Sequence, residues 1–367
     1  MESKNKEATK ESSEDFEAYL QNAVHGGYVC MAIGIGLDTG LWQVLCDLDG
    51  RPKTAREIAD RAGLKERYVR EWLGTMVMAK IVNIKEDQPE TYYIPEHRIP
   101  VLHPRRGKTV TLYAKTVSTL SGVSKDVVER FKKDGPNGIA FHRYSDYEAS
   151  LAEVRRRWLD DYLIQEFIPT VVGLQEQLES GINVLDLGCE NGVFVNILAQ
   201  TFPNSRIYGV DISQDYINAG EKSAQQKGLK NAFYTCCDAA QLDAAWSNQF
   251  HYVFISDSLH DFAYADKVLE EIHRVMNADG QLSIIDTYSH TKLSKNQAQA
   301  DKLLVRYVSS LMYCLPLSLN YEGSLGLGAN WGIEAAVKLL EDCGFESKMQ
   351  STPGRSGLHF LCTKKTL

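Results

Sequence analysis

The spacing of apolar residues changes several times along the 367-residue chain, and each change marks a part of it. Residues 1–15 carry no apolar period and predict a disordered tail. From residue 16 the spacing is helical: Phe16, Leu20, Ala23 and Val24 lead into a run of small residues through Ala32, Gly34 and Gly36, suited to close backbone packing. Residues 41–48 predict a second helix. Thr54, followed three residues later by Glu57, predicts a capping box for a helix that Gly63 ends. Residues 66–80 place Val69, Trp72, Leu73, Met76 and Val77 on one helical face. Residues 81–84 and 91–94 then alternate as two short strands around a polar turn.

Two helices joined by a turn and followed by a two-stranded hairpin make a winged helix, assigned here to a domain over residues 16–100. Such a unit binds DNA or, attached to an enzyme, holds two copies together. Residues 51–85 carry nine basic side chains (Arg51, Lys53, Arg56, Arg61, Lys65, Arg67, Arg70, Lys80, Lys85) against Glu57, Asp60, Glu66 and Glu71. The formal charge of the whole chain is −8, which argues against coating nucleic acid and favours the dimerisation reading. Residues 101–180 read as a helical linker and lid region, broken at Pro104, Gly122 and 135–138. A loop at 138–147 holds Phe141, His142, Tyr144 and Tyr147, aromatics that would suit a substrate lid.

From residue 181 the pattern alternates. Strands are predicted at 184–187, 206–210, 232–236, 252–256, 282–286 and 358–363, the earlier ones separated by helices. That order implies an α/β, doubly wound parallel sheet. An insertion over 289–331 precedes a helix at 333–343. The domain runs over residues 181–367.

The stretch Asn183-Val-Leu-Asp-Leu-Gly-Cys-Glu-Asn-Gly192 is a strand breaking into a glycine-bounded turn, and Asp211 closes the next strand. A nicotinamide fingerprint would need glycine at 190 and 193, where the chain has Glu190 and Val193, and a P-loop would need Gly-Lys-Ser/Thr. The turn instead resembles motif I of class I S-adenosylmethionine methyltransferases. That resemblance implies a Rossmann-like, mainly parallel sheet with an antiparallel last strand. It also implies cofactor contacts from Asp186, Gly188, Cys189 and Gly192 in the turn, Asp211 and Ile212 after the second strand, Asp238 and Ala239 after the third, and Ser256 at the end of the fourth. Glu190 departs from the family, which usually has glycine there, so its side chain must point away from the ligand.

Leu259-His260-Asp261-Phe262 is similar to a stretch in winged-helix small-molecule O-methyltransferases of caffeate and hydroxyindole type, in which the histidine is the general base. Imidazole suits that task because its pKa lies near neutrality. Asp261 or Asp286 could orient the ring. Resemblance is closest to bacterial, mycobacterial-type methyltransferases with an N-terminal winged helix, carried by residues 202–206, 257–261, Tyr313-Cys314-Leu315-Pro316-Leu317 and Gly326-Leu327-Gly328. It implies a homodimer and a small-molecule acceptor, with Tyr144, Tyr147, Tyr288, Tyr321 and Trp331 as pocket candidates.

The composition is 44% hydrophobic and 24% charged, as in globular proteins. The eight cysteines form no CxxC pair and no zinc-type spacing and read as the reduced thiols of a cytoplasmic protein without a membrane span; Asp257, Asp261 and Asp286 are near enough in the pattern for a Mg2+ site of catechol-methyltransferase type, but no Asn-Asn pair accompanies them, so no metal is expected. The sequence thus supports methylation of a hydroxyl or amine on a small, fairly apolar molecule, with a cofactor-responsive DNA-binding regulator as the alternative.

Overall fold

The computed structural model describes residues 11–365. The tail expected over residues 1–10 lies outside the described residues, whereas residues 13–15 are already helical. Ser12 caps that first helix, α1 (Ser13–Asp38), and Asp15 bonds back to the cap, so a polar capping box starts the helix three residues before its apolar pattern begins. The chain divides into two compact units. One runs through Gly122 and takes in Asp146–Val154; the other comprises Val123–Ser145 and everything from Arg155 onward.

In the first unit α1 is followed by α2 (Leu41–Asp47), α3 (Ala55–Ala62), α4 (Glu66–Met78), the hairpin β1 (Asn83–Lys85) and β2 (Thr91–Tyr93), α5 (Ile99–Leu102) and α6 (Val110–Ser121). Both halves of the Thr54–Glu57 capping box form, and Gly63 ends α3 at φ 67°, a left-handed conformation that glycine adopts without strain. The strands pair antiparallel with Asn83 opposite Tyr93.

The core of this unit gathers around Trp42 and Trp72, whose rings meet edge-on at 4.8 Å. Each indole N–H donates to the backbone of α1, Trp42 to the Ile33 carbonyl at 3.0 Å and Trp72 to the Ala32 carbonyl at 2.8 Å. A Cβ on Gly36 would lie 2.5 Å from both rings, which explains the small-residue run. Most apolar side chains toward the start of α1 find no such cover: Phe16, Tyr19, Leu20, Val24 and Tyr28 are all exposed. Three of the basic residues pair with an acid four residues away in sequence, Lys53 with Glu57, Arg70 with Glu66 and Arg67 with Glu71.

The second unit opens with α7 (Ser124–Arg130), a 3-10 turn at Phe141–Tyr144, and α8 (Ser145–Tyr162), whose residues Asp146–Val154 group with the first unit. The helical stretch expected over 154–178 with an interruption at Pro169 is broken there by a π turn (Leu163–Phe167) and a 3-10 turn (Ile168–Thr170), because Pro169 cannot continue an α-helix; α9 (Leu174–Ser180) follows. Then come β3 (Asn183–Leu187), α10 (Val193–Thr201), β4 (Arg206–Asp211), α11 (Gln214–Gln226), β5 (Ala232–Cys236), β6 (Phe250–Ser256), α12 (Ala265–Val275) and β7 (Met276–Asp286). The insertion contains α13 (Ala300–Ser309), a π turn (Ser310–Cys314) and α14 (Leu315–Ser318); α15 (Ile333–Asp342), β8 (Phe345–Ser351) and β9 (Leu358–Lys364) complete the unit.

The seven strands order as β5-β4-β3-β6-β7-β9-β8, parallel except for β9, which runs antiparallel to both β7 and β8. Apolar side chains cover both sheet faces, one cluster including Leu185, Val253, Leu269, Ile284 and Phe360 and the other Val184, Phe194, Phe254, Phe167 and Ile285. No single helix among the described residues is long and apolar enough to cross a membrane.

Trp72→Ala removes an interior ring and its hydrogen bond to α1. The loss expected is about 3–5 kcal/mol of N-terminal unit stability, read from its urea midpoint. A change below about 1 kcal/mol would contradict this account of the core.

Candidate active site

The strand order reverses at β3, which pairs in parallel with β4 on one side and β6 on the other. The carboxyl edge at such a reversal opens into a crevice, where doubly wound sheets bind ligands. The chain leaves β3 through Gly188, at φ 72°, and enters α10 through Gly192, at φ 73°. The N–H groups of Gly188 and Cys189 both donate to the Val210 carbonyl, at 2.9 and 3.0 Å, tying the turn to β4. A Cβ at Gly192 would fall 2.2 Å from the Tyr234 hydroxyl, so the turn closes only with glycine.

Asp211, at the end of β4, accepts from the Glu190 N–H at 3.0 Å and the Ser213 N–H at 2.9 Å, joining the glycine turn to the turn after β4. Ile212 beside it is 60% exposed, an apolar side chain left open at the sheet edge. Asp238 accepts from the Ala240 N–H at 2.9 Å, Ala239 is buried, and Ser256 ends β6. The structure therefore brings Asp186, Gly188, Cys189, Gly192, Asp211, Ile212, Asp238, Ala239 and Ser256 to the ends of β3, β4, β5 and β6, along one edge.

Glu190 has φ 48°, a conformation costing a side-chain-bearing residue roughly 1–2 kcal/mol. Its carboxylate pairs with Arg155 Nε at 2.6 Å. Asp257, also left-handed at φ 53°, is held by Arg355. Burial would raise the Asp257 pKa, but Arg355 outweighs it, and with His260 and Arg155 holds the carboxyl below the usual range. Asp186 is the opposite case. Its burial, reinforced by Glu190 and Asp211, pushes the pKa well up and favours the neutral acid.

Beyond β6, Leu259 anchors a short turn in the core, and His260 follows, 2% exposed. Its Nδ1 lies 2.7 Å from Asp286 Oδ1, at the end of β7, and its Nε2 3.5 Å from Asp261 Oδ1. Burial disfavours the imidazolium, yet Asp286 and Asp261 outweigh burial and raise the pKa well above the ordinary histidine range. Cys314 is buried against the same ring, and burial followed by Asp261 pushes its thiol up to about 12.

The acceptor candidates divide. Tyr144 is buried, donates to the Met312 carbonyl at 3.0 Å and meets Tyr313 edge-on at 4.8 Å. Phe141 packs on Tyr216 at 5.8 Å, so the two loop aromatics are held against the body of the second unit. Tyr288 is half-buried just beyond Asp286, Tyr321 stands 48% exposed, and Trp331 packs into the core of one sheet face. Tyr147 is buried and groups with the first unit. Sequence reasoning missed Arg155, Arg355 and Cys314 as site residues. The available signals were the Arg155-Arg156-Arg157 run, the Tyr313–Leu317 stretch and the polar Pro353–Gly357 turn, none of which names its partner.

A glycine turn at the switch point, with acids after successive strands, defines a Rossmann-like domain built for a nucleoside cofactor. Comparison with known proteins narrows the class. A family model for a methyltransferase domain matches residues 178–320, and one for an Rv2258c-like winged HTH domain matches residues 27–103. A demethylmenaquinone methyltransferase of Listeria welshimeri is 30% identical over 201 residues, which cover 52% of this chain and 81% of that protein. The Listeria monocytogenes protein of the same name is 30% identical over 112 residues, 30% of this chain, and the chain spans only 47% of its length. Human N-acetylserotonin methyltransferase, solved with S-adenosylmethionine, superposes with a TM-score of 0.67 at 16% identity, covering 98% of this chain and 100% of that one. NcsB1, an O-methyltransferase from neocarzinostatin biosynthesis solved with S-adenosylmethionine and 2-hydroxy-5-methyl naphthoic acid, gives 0.61 at 16% identity over 92% and 96%. At such identities the solved structures show the shared fold. The chain belongs to the S-adenosylmethionine-dependent methyltransferases and carries an N-terminal winged-helix domain.

Asp211→Ala leaves two turn amides without their acceptor. Calorimetric titration with S-adenosylmethionine is expected to show affinity falling about tenfold or more. Unchanged affinity would remove Asp211 from the cofactor site.

Proposed function

We propose that this methyltransferase transfers the methyl group of S-adenosylmethionine to a hydroxyl of a small, fairly apolar molecule, with His260 as general base. The observation that carries the reading is the buried His260–Asp286 hydrogen bond of 2.7 Å. Engagement of Nδ1 by Asp286 fixes the ring and leaves Nε2 as the nitrogen that can take a proton. The names of O-methyltransferases among proteins of the same fold support oxygen as the accepting atom.

When bound, the cofactor supplies an electrophilic methyl carbon on a sulfonium. The chain's own residues do the rest. The two glycines of the turn leave its backbone open at Gly188 and Gly192, beside an Asp211 carboxylate already fixed by two amides, and this is assigned to the ribose and methionine portion. Asp238, Ala239 and the open Ile212 side chain are assigned to the adenine end, and Ser256 to the sulfonium end. His260 Nε2 takes the acceptor's hydroxyl proton as the O–CH3 bond forms, and Asp286 stabilises the resulting imidazolium. In the ligand-free protein the two carboxylates favour the protonated form of His260. Added positive charge in the site disfavours that form, so the base becomes available only once the site is loaded. Tyr144 and Tyr288 are assigned to the acceptor side, where positioning supplies much of the rate.

A homodimer is supported by α1, where Tyr28 is 68% exposed and Tyr19 63% along one long helix. Sedimentation is expected to show a dimer that Leu20→Glu with Tyr28→Glu dissociates; a native monomer would contradict it.

His260→Ala is expected to lower turnover by about 100-fold or more while leaving the dissociation constant for S-adenosylmethionine within about threefold. Release of S-adenosylhomocysteine from a panel of hydroxylated aromatics measures the first, and calorimetry the second. Turnover unaffected by the substitution would eliminate His260 as the base.

A further inference from the structure

We propose that His260 Nε2, the Asp261 carboxylate and the Cys314 thiolate form a binding site for one thiophilic divalent cation of the Zn2+ class. Their ligand atoms all lie within 4.8 Å of one another. The Nε2 to Asp261 Oδ1 separation is 3.5 Å, close to the roughly 3.3 Å edge expected for N and O ligands at tetrahedral zinc distances. Nitrogen, oxygen and sulfur together select zinc-like ions over magnesium, which takes oxygen ligands and near-octahedral geometry.

Three further features support the site. Asp286 holds His260 Nδ1 at 2.7 Å, the carboxylate–histidine pairing that orients imidazole toward a metal and raises its basicity. Cys314 ends a π turn between α13 and α14, and such turns reset the direction of the side chains that follow. His260 and Cys314 are buried, and the Asp261 side chain is 15% exposed. Three protein ligands leave a fourth position open.

Binding places the cation on the Cys314 sulfur in place of its thiol proton, which passes to solvent. The cation also occupies the nitrogen lone pair that the proposed methyl transfer uses, so that consequence, inhibition by Zn2+ and recovery on chelation, rests on the reading of His260 as base.

The test is titration of the full-length, chelator-treated protein with Co2+, followed by absorption. A thiolate-to-cobalt charge-transfer band saturating at one ion per chain, displaced by Zn2+ and unaffected by Mg2+, is expected. Cys314→Ser should abolish the band, with near-ultraviolet circular dichroism confirming the fold, while Cys236→Ser, at an exposed thiol, should keep it. Asp286→Asn should weaken binding by about 10–100-fold. Absence of the band, or its survival in Cys314→Ser, overturns the proposal. That failure stands apart from the methyl-transfer reading, because loss of turnover in His260→Ala without any cobalt band removes only the metal site.

Discussion

Burial of charge at the carboxyl edge of the sheet is the constraint on which the site depends. Asp257, His260 and Asp286 lie within or close to the protein interior, where an unpaired charge is costly. Each is matched: Asp257 by Arg355, and His260 by Asp286 with Asp261 nearby. Asp186, buried beside Glu190 and Asp211 with no cation paired to it among the described residues, is pushed toward its neutral form. The partners come from β7, from the turn between β8 and β9, and from the turn after β6. Closing the fold is therefore what assembles the chemistry.

The glycine turn shows the same coupling in the backbone. Glu190 sits in a conformation that favours glycine, and two contacts hold it there: its N–H on Asp211 and its carboxylate on Arg155. Local strain of this kind persists where surrounding contacts determine the geometry. Position 190 thus departs from the glycine usual in the family by recruiting an arginine from α8, and the turn keeps the shape that its flanking glycines set.

Much of this was legible in the sequence, and the limits have physical causes. The strands flanking the site are apolar and separated by helices, so their order and the acids after them could be read locally. The capping box at Thr54 and Glu57 is a four-residue signal and forms in full. β8 escaped detection because only Phe345 of its seven residues is buried, leaving an edge strand of Glu, Ser, Lys and Gln without an apolar face. The break at residues 163–170 follows from Pro169, which marked the interruption without revealing the π turn before it. Arg155, Arg355 and Cys314 reach the site across 35 to 98 residues of sequence, and no local pattern reports such pairings.

The central claim is that Asp286 fixes His260 with Nε2 as the proton-accepting nitrogen, and that the ring yields its proton only in the loaded site. Nitrogen-15 NMR of the histidine rings, with His260→Gln for assignment, tests it directly when titrated free, with S-adenosylmethionine and with S-adenosylhomocysteine. The account predicts a His260 pKa above the ordinary range in the free protein, a clear fall with the cationic cofactor, little fall with its neutral product, and a proton on Nδ1 in the neutral ring. An ordinary pKa that neither ligand moves, or a neutral ring protonated at Nε2, would contradict it.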